Sequence, residues 1–293
     1  MDMMNEISTA KIKALVNLLD DSDQLVYNNV RTELFNLVES IPELQVALES
    51  SSNELKAERI VEILDHLKFE KLDASITAWN KKEHPELIDG MLAIARYGYP
   101  NFDGVKIIDQ IDEIVDAVRS KQEGKSTREM VDVLNQVILY DFGFNGNLKE
   151  YNNLYNSFIN KVLELKVSNP IGLSIIYLLV AKELNLPMIG INSPGHFVLG
   201  FWDEGDDTNE ETLERIDFFV DPFNNGRIIE KQEFISWLKS KDRGEEHREM
   251  LIANDRMIIK RVFNNLIYSL FTSGEKLTAE KLLPLAESIE LNL

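Results

Sequence analysis

His196 and Asp221 are the side chains of this chain that best fit a catalytic pair. An aspartate bound to one imidazole nitrogen sets the tautomer of the ring, which can then act as general base for a nucleophile. The natural place for that nucleophile is the helix start at Asn169-Pro170, because unpaired amides and the helix dipole lower the pKa of a thiol there. The chain contains no cysteine, so this pair has no thiol to activate.

Two neighbouring residues mark the start of this helix. Asn169 supplies an N-cap side chain, and Pro170 suits a first helical position because no amide partner is needed there. The residues that follow are apolar on nearly every side, so we expect the helix to be buried in the core. These apolar residues are Ile171, Leu173, Ile175, Ile176, Leu178, Leu179 and Val180.

A serine hydroxyl near the helix start could replace the missing thiol as nucleophile. Ser168 lies closest to the empty nucleophile position, and Ser174 lies further inside the helix. A hydroxyl needs a well-aligned base, so a serine hydrolase of Ser168, His196 and Asp221 is the second hypothesis. The preferred interpretation is structural, with Asn169 as a helix cap and His196 hydrogen-bonded to Asp221 for order.

Two short segments, 196–202 and 216–220, are rich in aromatic and β-branched residues and predict strands. If the connection between them is symmetric, His196 lies directly opposite Asp221, with Cβ atoms about 5 Å apart. A slip of one residue would send the two side chains to opposite faces of the sheet. The pairing of His196 with Asp221 therefore depends on the register of this hairpin.

The connection itself, residues 203–214, contains seven acidic side chains and one glycine. It lacks the alternating oxygen ligands, central glycine and terminal glutamate of an EF-hand loop, so we predict a solvated hairpin tip. A catalytic zinc site at His196 and Asp221 is also disfavoured, because such a site takes three protein ligands. We predict neither a metal nor a cofactor.

The composition restricts the classes of partner. The formal net charge is -19, and such a field repels phosphate backbones and anionic lipids, so we expect no nucleic-acid or membrane partner. The longest apolar run, residues 175–181, is too short to span a bilayer. The first residues lack the basic start and apolar core of a secretory signal. We predict a cytoplasmic protein.

Most of the chain has apolar residues at helical spacing, which predicts a mostly helical α+β protein with a small antiparallel sheet. Residues 1–84 form a helical region similar to HEAT repeats, and residues 85–240 carry the motifs that could do chemistry. Residues 250–293 form a helix pair at the end of the chain. The oligomeric state stays open.

Several motifs follow one another along the chain. They are Phe142-Gly143-Phe144-Asn145-Gly146-Asn147, Asn156-Ser157-Phe158, Asn169-Pro170-Ile171-Gly172-Leu173-Ser174, Leu186-Pro187, Pro194-Gly195-His196-Phe197 and Asp221-Pro222-Phe223-Asn224-Asn225-Gly226. Together they resemble the SirB-type branch of the transglutaminase-like superfamily. The resemblance runs from Pro85 to about Trp237, roughly half of the chain. The final helix pair is similar to the tetratricopeptide-like tail of this branch.

The resemblance implies a papain- and transglutaminase-like core, flanked here by helical repeat-like segments. It matches His196 and Asp221 to the histidine and aspartate of the family, and it puts the missing cysteine at Pro170, within about one residue. It also implies that members of this branch often lack the cysteine and act as regulators or as substrate-side modules of F-box proteins. We therefore predict an inactive protein that binds a peptide or partner protein, with a hydrolase of amide or ester bonds through Ser168 as the alternative.

Overall fold

The computed structural model describes residues 2–193, 195–202, 215–240 and 252–289. The chain divides into two compact units, one of residues 1–78 and 96–102 and the other of residues 79–95 and 103–293. The hairpin tip predicted at 203–214 lies outside the described residues. Within the described ranges, no helix is both long enough and apolar enough to cross a membrane.

The first unit is helical. Helix α2 begins where the Asp23 side chain accepts a hydrogen bond of 2.7 Å from the amide of Leu25, which satisfies one of the unpaired amides of the first turn. The helices are α1 (Asp2–Asn17), α2 (Gln24–Phe35), α3 (Ile41–Ser50) and most of α4 (Glu54–Asn80). Their shared core consists of Ile12, Val16, Leu19, Tyr27, Val30, Leu34, Ile41, Leu44, Ile60, Ile63, Leu64 and Leu67.

The second unit surrounds one buried helix, α9 (Pro170–Glu183), which is apolar nearly all round as the sequence predicts. Helix α7 (Thr127–Asn135) begins with a capping box between Ser126 and Glu129 and continues into a π-helical segment, Gln136–Asp141. The other helices of this unit are most of α5 (Leu87–Gly98), and all of α6 (Gly104–Arg119), α8 (Ile159–Leu165), α10 (Lys231–Ser240), α11 (Asp255–Ser273) and α12 (Lys276–Ser288).

Two sheets complete the second unit. A parallel pair joins β1 (Asn145–Gly146) to β2 (Val167–Ser168), directly before α9. The larger sheet is antiparallel, has the order β6-β5-β4-β3-β7, and packs one face against Phe234 of α10. Its strands are β3 (Met188–Ile191), β4 (Val198–Trp202), β5 (Ile216–Asp221), β6 (Arg227–Glu230) and β7 (Ile252–Ala253). The prediction of a mostly helical α+β fold with a small antiparallel sheet is confirmed.

The register of the β4–β5 hairpin differs from the predicted one. Leu199 pairs with Val220, so continuing the ladder aligns Asp221 with Val198, two residues from the predicted partner His196. One residue of this shift comes from the irregularity between Phe201 and Trp202, because a bulge places two residues opposite one. A shift of two residues preserves the face of the sheet, and the predicted pair can still meet.

Candidate functional site

The structure brings His196 and Asp221 together. His196 lies two residues before β4, Asp221 is the last residue of β5, and their Nε2 and Oδ2 atoms are 2.8 Å apart. The Asp221 side chain is 5% exposed and the His196 side chain 23% exposed. The carboxylate is therefore buried beneath a ring that still reaches the surface.

Asp221 also organises the turn that follows β5. Its side chain accepts hydrogen bonds from the Asn224 amide at 3.2 Å and from Asn224 Nδ2 at 2.6 Å. Burial by itself raises the pKa of the Asp221 carboxyl, but the hydrogen bond and charge of His196, together with the Asn224 donors, hold the pKa below its ordinary value. Asp221 thus combines the two roles that the sequence left open, imidazole partner and turn former.

The start of α9 is built as the sequence predicts. The Asn169 side chain accepts a hydrogen bond of 3.0 Å from the amide of Gly172, and Pro170 occupies the first helical position. Both residues are buried. Asn169 is therefore a helix cap, and Pro170 is the buried first residue of the helix.

The Ser168 hydroxyl is engaged elsewhere. It is fully buried, at 0% exposure, and donates a hydrogen bond of 3.0 Å to the carbonyl oxygen of Asn156. A Cβ atom added at Gly172 would lie 1.9 Å from Ser168 Oγ, so the hydroxyl is packed against the first turn of α9. In the part of the chain that the structure describes, Ser168 and His196 share no hydrogen bond.

Asn156 braces the loop that lies before α8. Its Nδ2 atom donates to the carbonyl oxygens of Glu150 and Tyr151, both at 2.9 Å. Its Oδ1 atom accepts a hydrogen bond of 3.1 Å from Asn147 Nδ2. With the bond from Ser168 to its carbonyl, the buried Asn156 joins this loop to the start of α9.

Aromatic rings cover the pair from the side of the β5–β6 turn. The ring of Phe223 meets His196 edge to face at a centroid distance of 6.1 Å and meets Tyr151 edge to face at 5.7 Å. A Cβ atom added at Gly146 would lie 2.9 Å from the Phe223 carbonyl oxygen. Gly146 is therefore required for the close approach of β1 to this turn.

Two further polar side chains, Arg261 of α11 and Tyr151, belong to the surroundings of the His196–Asp221 pair. Arg261 Nη1 donates a hydrogen bond of 3.0 Å to Asn192 Oδ1, and Asn192 immediately follows β3. Burial lowers the pKa of the Arg261 guanidinium. Burial raises the pKa of the Tyr151 phenol, with the Arg261 charge opposing this change and the Asp221 charge adding to it. Sequence reasoning missed both residues, because no local pattern links α11 to β3.

A further buried connection supports the β5–β6 turn. Asn135 donates a hydrogen bond of 2.8 Å from Nδ2 to the Gly226 carbonyl, and its Oδ1 accepts one of 2.9 Å from the Tyr177 hydroxyl. Gly226 has a φ of +68°, and a Cβ atom there would lie 2.0 Å from Asn135 Oδ1. Asn135 therefore joins α7, α9 and the turn that carries Phe223. The Asn225-Gly226 pair signals the turn in the sequence, but it does not signal the contact of the turn with Asn135.

Within the described ranges, no group of three or more His, Asp or Glu side chains could hold a metal ion.

Curated relatives come from bacteria and from animals. The chain is 28% identical over 198 residues to a UPF0162 protein of Xylella fastidiosa, covering 65% of this chain and 66% of that protein. It is 27% identical over 233 residues to F-box only protein 21 of Homo sapiens, covering 70% of this chain but 36% of that protein. The chain thus spans less than two thirds of either relative. No solved structure gives a significant match.

A family model described as the transglutaminase-like superfamily matches residues 105–264. The match covers more than half of the chain and includes the α9 start, both members of the His196–Asp221 pair, and Arg261. The matched region also contains the buried helix and the antiparallel sheet that hold these side chains. The chain therefore belongs to the transglutaminase-like superfamily.

Proposed function

We propose that this protein is a catalytically inactive member of the SirB-type branch of the superfamily, which binds a peptide segment or a partner protein in the cytoplasm. The binding site is the surface over His196, Asp221 and the start of α9. The helical regions 1–84 and 250–293 flank the domain of residues 85–240 that carries this site.

The observation that carries the proposal is a hydrogen-bonded His196–Asp221 pair in a chain that has no thiol and whose Ser168 hydroxyl is buried. His196 and Asp221 are 2.8 Å apart, whereas the position matched to the missing cysteine is Pro170. The nearest hydroxyl, that of Ser168, is buried and donates to the Asn156 carbonyl. A general base contributes to catalysis only when the proton it takes is within hydrogen-bond reach. This arrangement favours binding over turnover.

The exposed part of the pair is suited to a polar ligand. Asp221 engages Nε2 of His196, which leaves Nδ1 as the ring atom able to bond to a ligand. The ring is oriented by the carboxylate and by the Phe223 ring, so a ligand meets a positioned imidazole. Preorganisation of this kind lowers the entropic cost of binding.

The relatives support a modular role. The human protein that matches is named F-box only protein 21, and the matched part is 36% of its length. A similar domain thus forms one part of a longer protein. This organisation fits a domain that recognises a partner within a larger assembly.

Peptide-display selection against the purified full-length protein tests the proposal. We expect enriched peptides whose affinity falls about tenfold, equal to about 1.4 kcal/mol, in His196→Ala. The matched control is His84→Ala, since the His84 side chain is 90% exposed and should leave the affinity unchanged. Equal loss in both variants, or no enriched peptide, would contradict the proposal.

The hydrolase alternative is tested with a fluorophosphonate probe on the same protein. We expect no labelling, because the Ser168 hydroxyl is buried and bonded to a carbonyl. Labelling that is lost in Ser168→Ala and kept in Ser174→Ala would establish the hydrolase. Turnover of an amide or ester substrate that His196→Ala abolishes would overturn the inactive assignment.

A further inference from the structure

Helix α11 carries two desolvated arginines with different surroundings. Arg256 is 8% exposed. Its Nε atom donates to Asn80 Oδ1 at 3.1 Å, and its Nη2 atom donates to the carbonyl oxygens of Asn80, at 3.0 Å, and Lys82. Three of its five N–H donors are therefore bonded to oxygens of the fold, and Arg256 has a structural role.

Arg261 differs because its charge has no acidic partner among the residues that the structure describes. Its one side-chain bond within the described residues is the 3.0 Å bond from Nη1 to the neutral amide oxygen of Asn192, and no carboxylate there forms an ion pair with it. A guanidinium has five N–H donors. None of its nitrogens is among the fully buried ones without a partner, so the remaining donors are not completely buried.

Arg261 is tied to the segment that carries His196. Asn192, which accepts the bond from Arg261, lies four positions before His196. The His196 amide donates to the Ser193 carbonyl at 3.2 Å, which folds this segment back on itself. The guanidinium is therefore anchored to the same short segment as the imidazole.

Tyr151 is a second link between Arg261 and the His196–Asp221 pair. Its phenol interacts electrostatically with both Arg261 and Asp221. The Phe223 ring makes edge-to-face contacts with both Tyr151 and His196. A tyrosine phenol is protonated at neutral pH, and burial raises the pKa of Tyr151 further, so its hydroxyl can donate a hydrogen bond to a ligand.

We propose that Arg261, oriented by Asn192 and supported by the Tyr151 hydroxyl, forms a carboxylate-binding subsite next to His196. This inference rests on the proposed function, because it names the ligand chemistry of the same site. A guanidinium binds a carboxylate through two parallel hydrogen bonds. The nearby carboxylate of Asp221 is not the partner of Arg261 within the described residues, since it is bonded to His196 and Asn224.

Because the chain is strongly acidic, an anionic ligand needs a positively charged group at its binding site. The chain carries a formal charge of -19, which repels an anionic ligand at long range. Screening at physiological salt limits that repulsion to about 8 Å, and a desolvated guanidinium interacts more strongly at short range than an exposed one. Selection of a carboxylate therefore depends on Arg261.

NMR of the full-length protein tests the proposal through the Nε–Hε signals of its arginines. Three peptides are titrated: acetyl-Ala-Ala-Ala with a free carboxylate, the same peptide as an amide, and acetyl-Ala-Asp-Ala-amide. We expect saturable shifts of the Arg261 signal with carboxylate peptides and about tenfold weaker binding of the neutral amide. Arg256 is the internal control, because its Nε atom is bonded to Asn80 and its signal should not move.

The two acidic peptides distinguish the source of the carboxylate. A response to the free acid alone identifies a chain terminus, and a response to the aspartyl peptide alone identifies an acidic side chain. In Arg261→Gln, binding of the acidic peptides should fall to the level of the neutral amide. Arg261→Lys retains the charge without the planar fork and should give intermediate binding.

Two results would overturn the carboxylate subsite. One is an Arg261 signal that does not respond to any of the peptides. The other is equal affinity for the neutral and acidic peptides in the wild type. If His196 signals still respond equally to all three peptides, the proposed binding site stands and only the carboxylate preference fails.

Discussion

The imidazole of His196 and the carboxylate of Asp221 meet at 2.8 Å between Nε2 and Oδ2, and Asn224 Nδ2 approaches the same oxygen at 2.6 Å. One buried oxygen thus accepts hydrogen bonds from two side chains, one before β4 and one after β5. This shared acceptor couples the conformation of the exposed ring to the β5–β6 turn. The stability of the turn and the orientation of His196 should therefore change together.

Replacement of Asp221 by Ala should lower the free energy of unfolding by about 1–3 kcal/mol, because the donors of His196 and Asn224 lose a buried acceptor. Urea denaturation followed by circular dichroism measures this loss. The matched control is Asp141→Ala, because the exposed carboxylate of Asp141 is bonded to Lys121 and Gln136 and its loss should destabilise the protein less than the loss of the buried Asp221. Equal losses in the two variants would contradict a special role for Asp221.

The pH dependence of stability should carry the signature of Asp221. Its folded pKa lies below the ordinary value, so the unfolded state binds more protons in this range and stability rises with pH. Its contribution is complete above the ordinary carboxyl pKa of about 3.9 and is lost as the pH falls below that value toward the lower folded pKa. The stability difference between wild type and Asp221→Asn should therefore narrow as the pH falls from 5 to 3, in urea titrations. A difference that stays constant over this range would rule out the depressed pKa.

Gly172→Ala should destabilise the start of α9. The new Cβ atom would lie 1.9 Å from Ser168 Oγ and 2.9 Å from the Asn156 carbonyl, and overpacking of this kind costs about 1–3 kcal/mol. The double variant Ser168→Gly/Gly172→Ala should recover part of the loss, because the nearest clashing atom is removed. Thermal unfolding of the two single variants and the double variant gives the coupling energy. Strict additivity would show that Ser168 does not pack against this turn.

Asn135→Ala should remove a buried link between α7, α9 and the β5–β6 turn. The Tyr177 side chain is fully buried and donates its hydroxyl proton to Asn135, so an unpaired hydroxyl should cost about 1–3 kcal/mol. Tyr177→Phe in the Asn135→Ala background should cost less than Tyr177→Phe in the wild type. A double-mutant cycle from urea denaturation measures this coupling, and a coupling energy of zero would contradict the proposed link.

Local signals made the start of α9 predictable from sequence. The Asn169 cap and the Pro170 start act within a single helical turn, and the apolar residues that follow indicate a buried helix without knowledge of its neighbours. The two strands that bring His196 and Asp221 together were recognised for the same reason. The register of these strands was predicted wrongly, because the bulge at Phe201 and Trp202 cannot be recognised from the pattern of apolar residues.

Tertiary contacts account for the parts of the site that sequence reasoning missed. Arg261 and Asn192 are 69 positions apart and meet only after α11 packs beside the end of β3. Asn135 and Gly226 are 91 positions apart, and a polar residue on an amphipathic helix is ordinarily assigned to solvent. Neither contact follows from residue spacing, because both depend on the packing of elements distant in sequence.

The His196–Asp221 pair and the connection between β4 and β5 lie at opposite ends of the β4–β5 hairpin. His196 and Asp221 lie at the end where β4 begins and β5 finishes. The chain leaves β4 at Trp202 and enters β5 at Ile216, at the opposite end. A change of length in the connection between the two strands would therefore fall at the end of the hairpin away from the ring and its carboxylate. A fluorescent reporter inserted in that connection should leave the hydrogen bond between His196 and Asp221 in place.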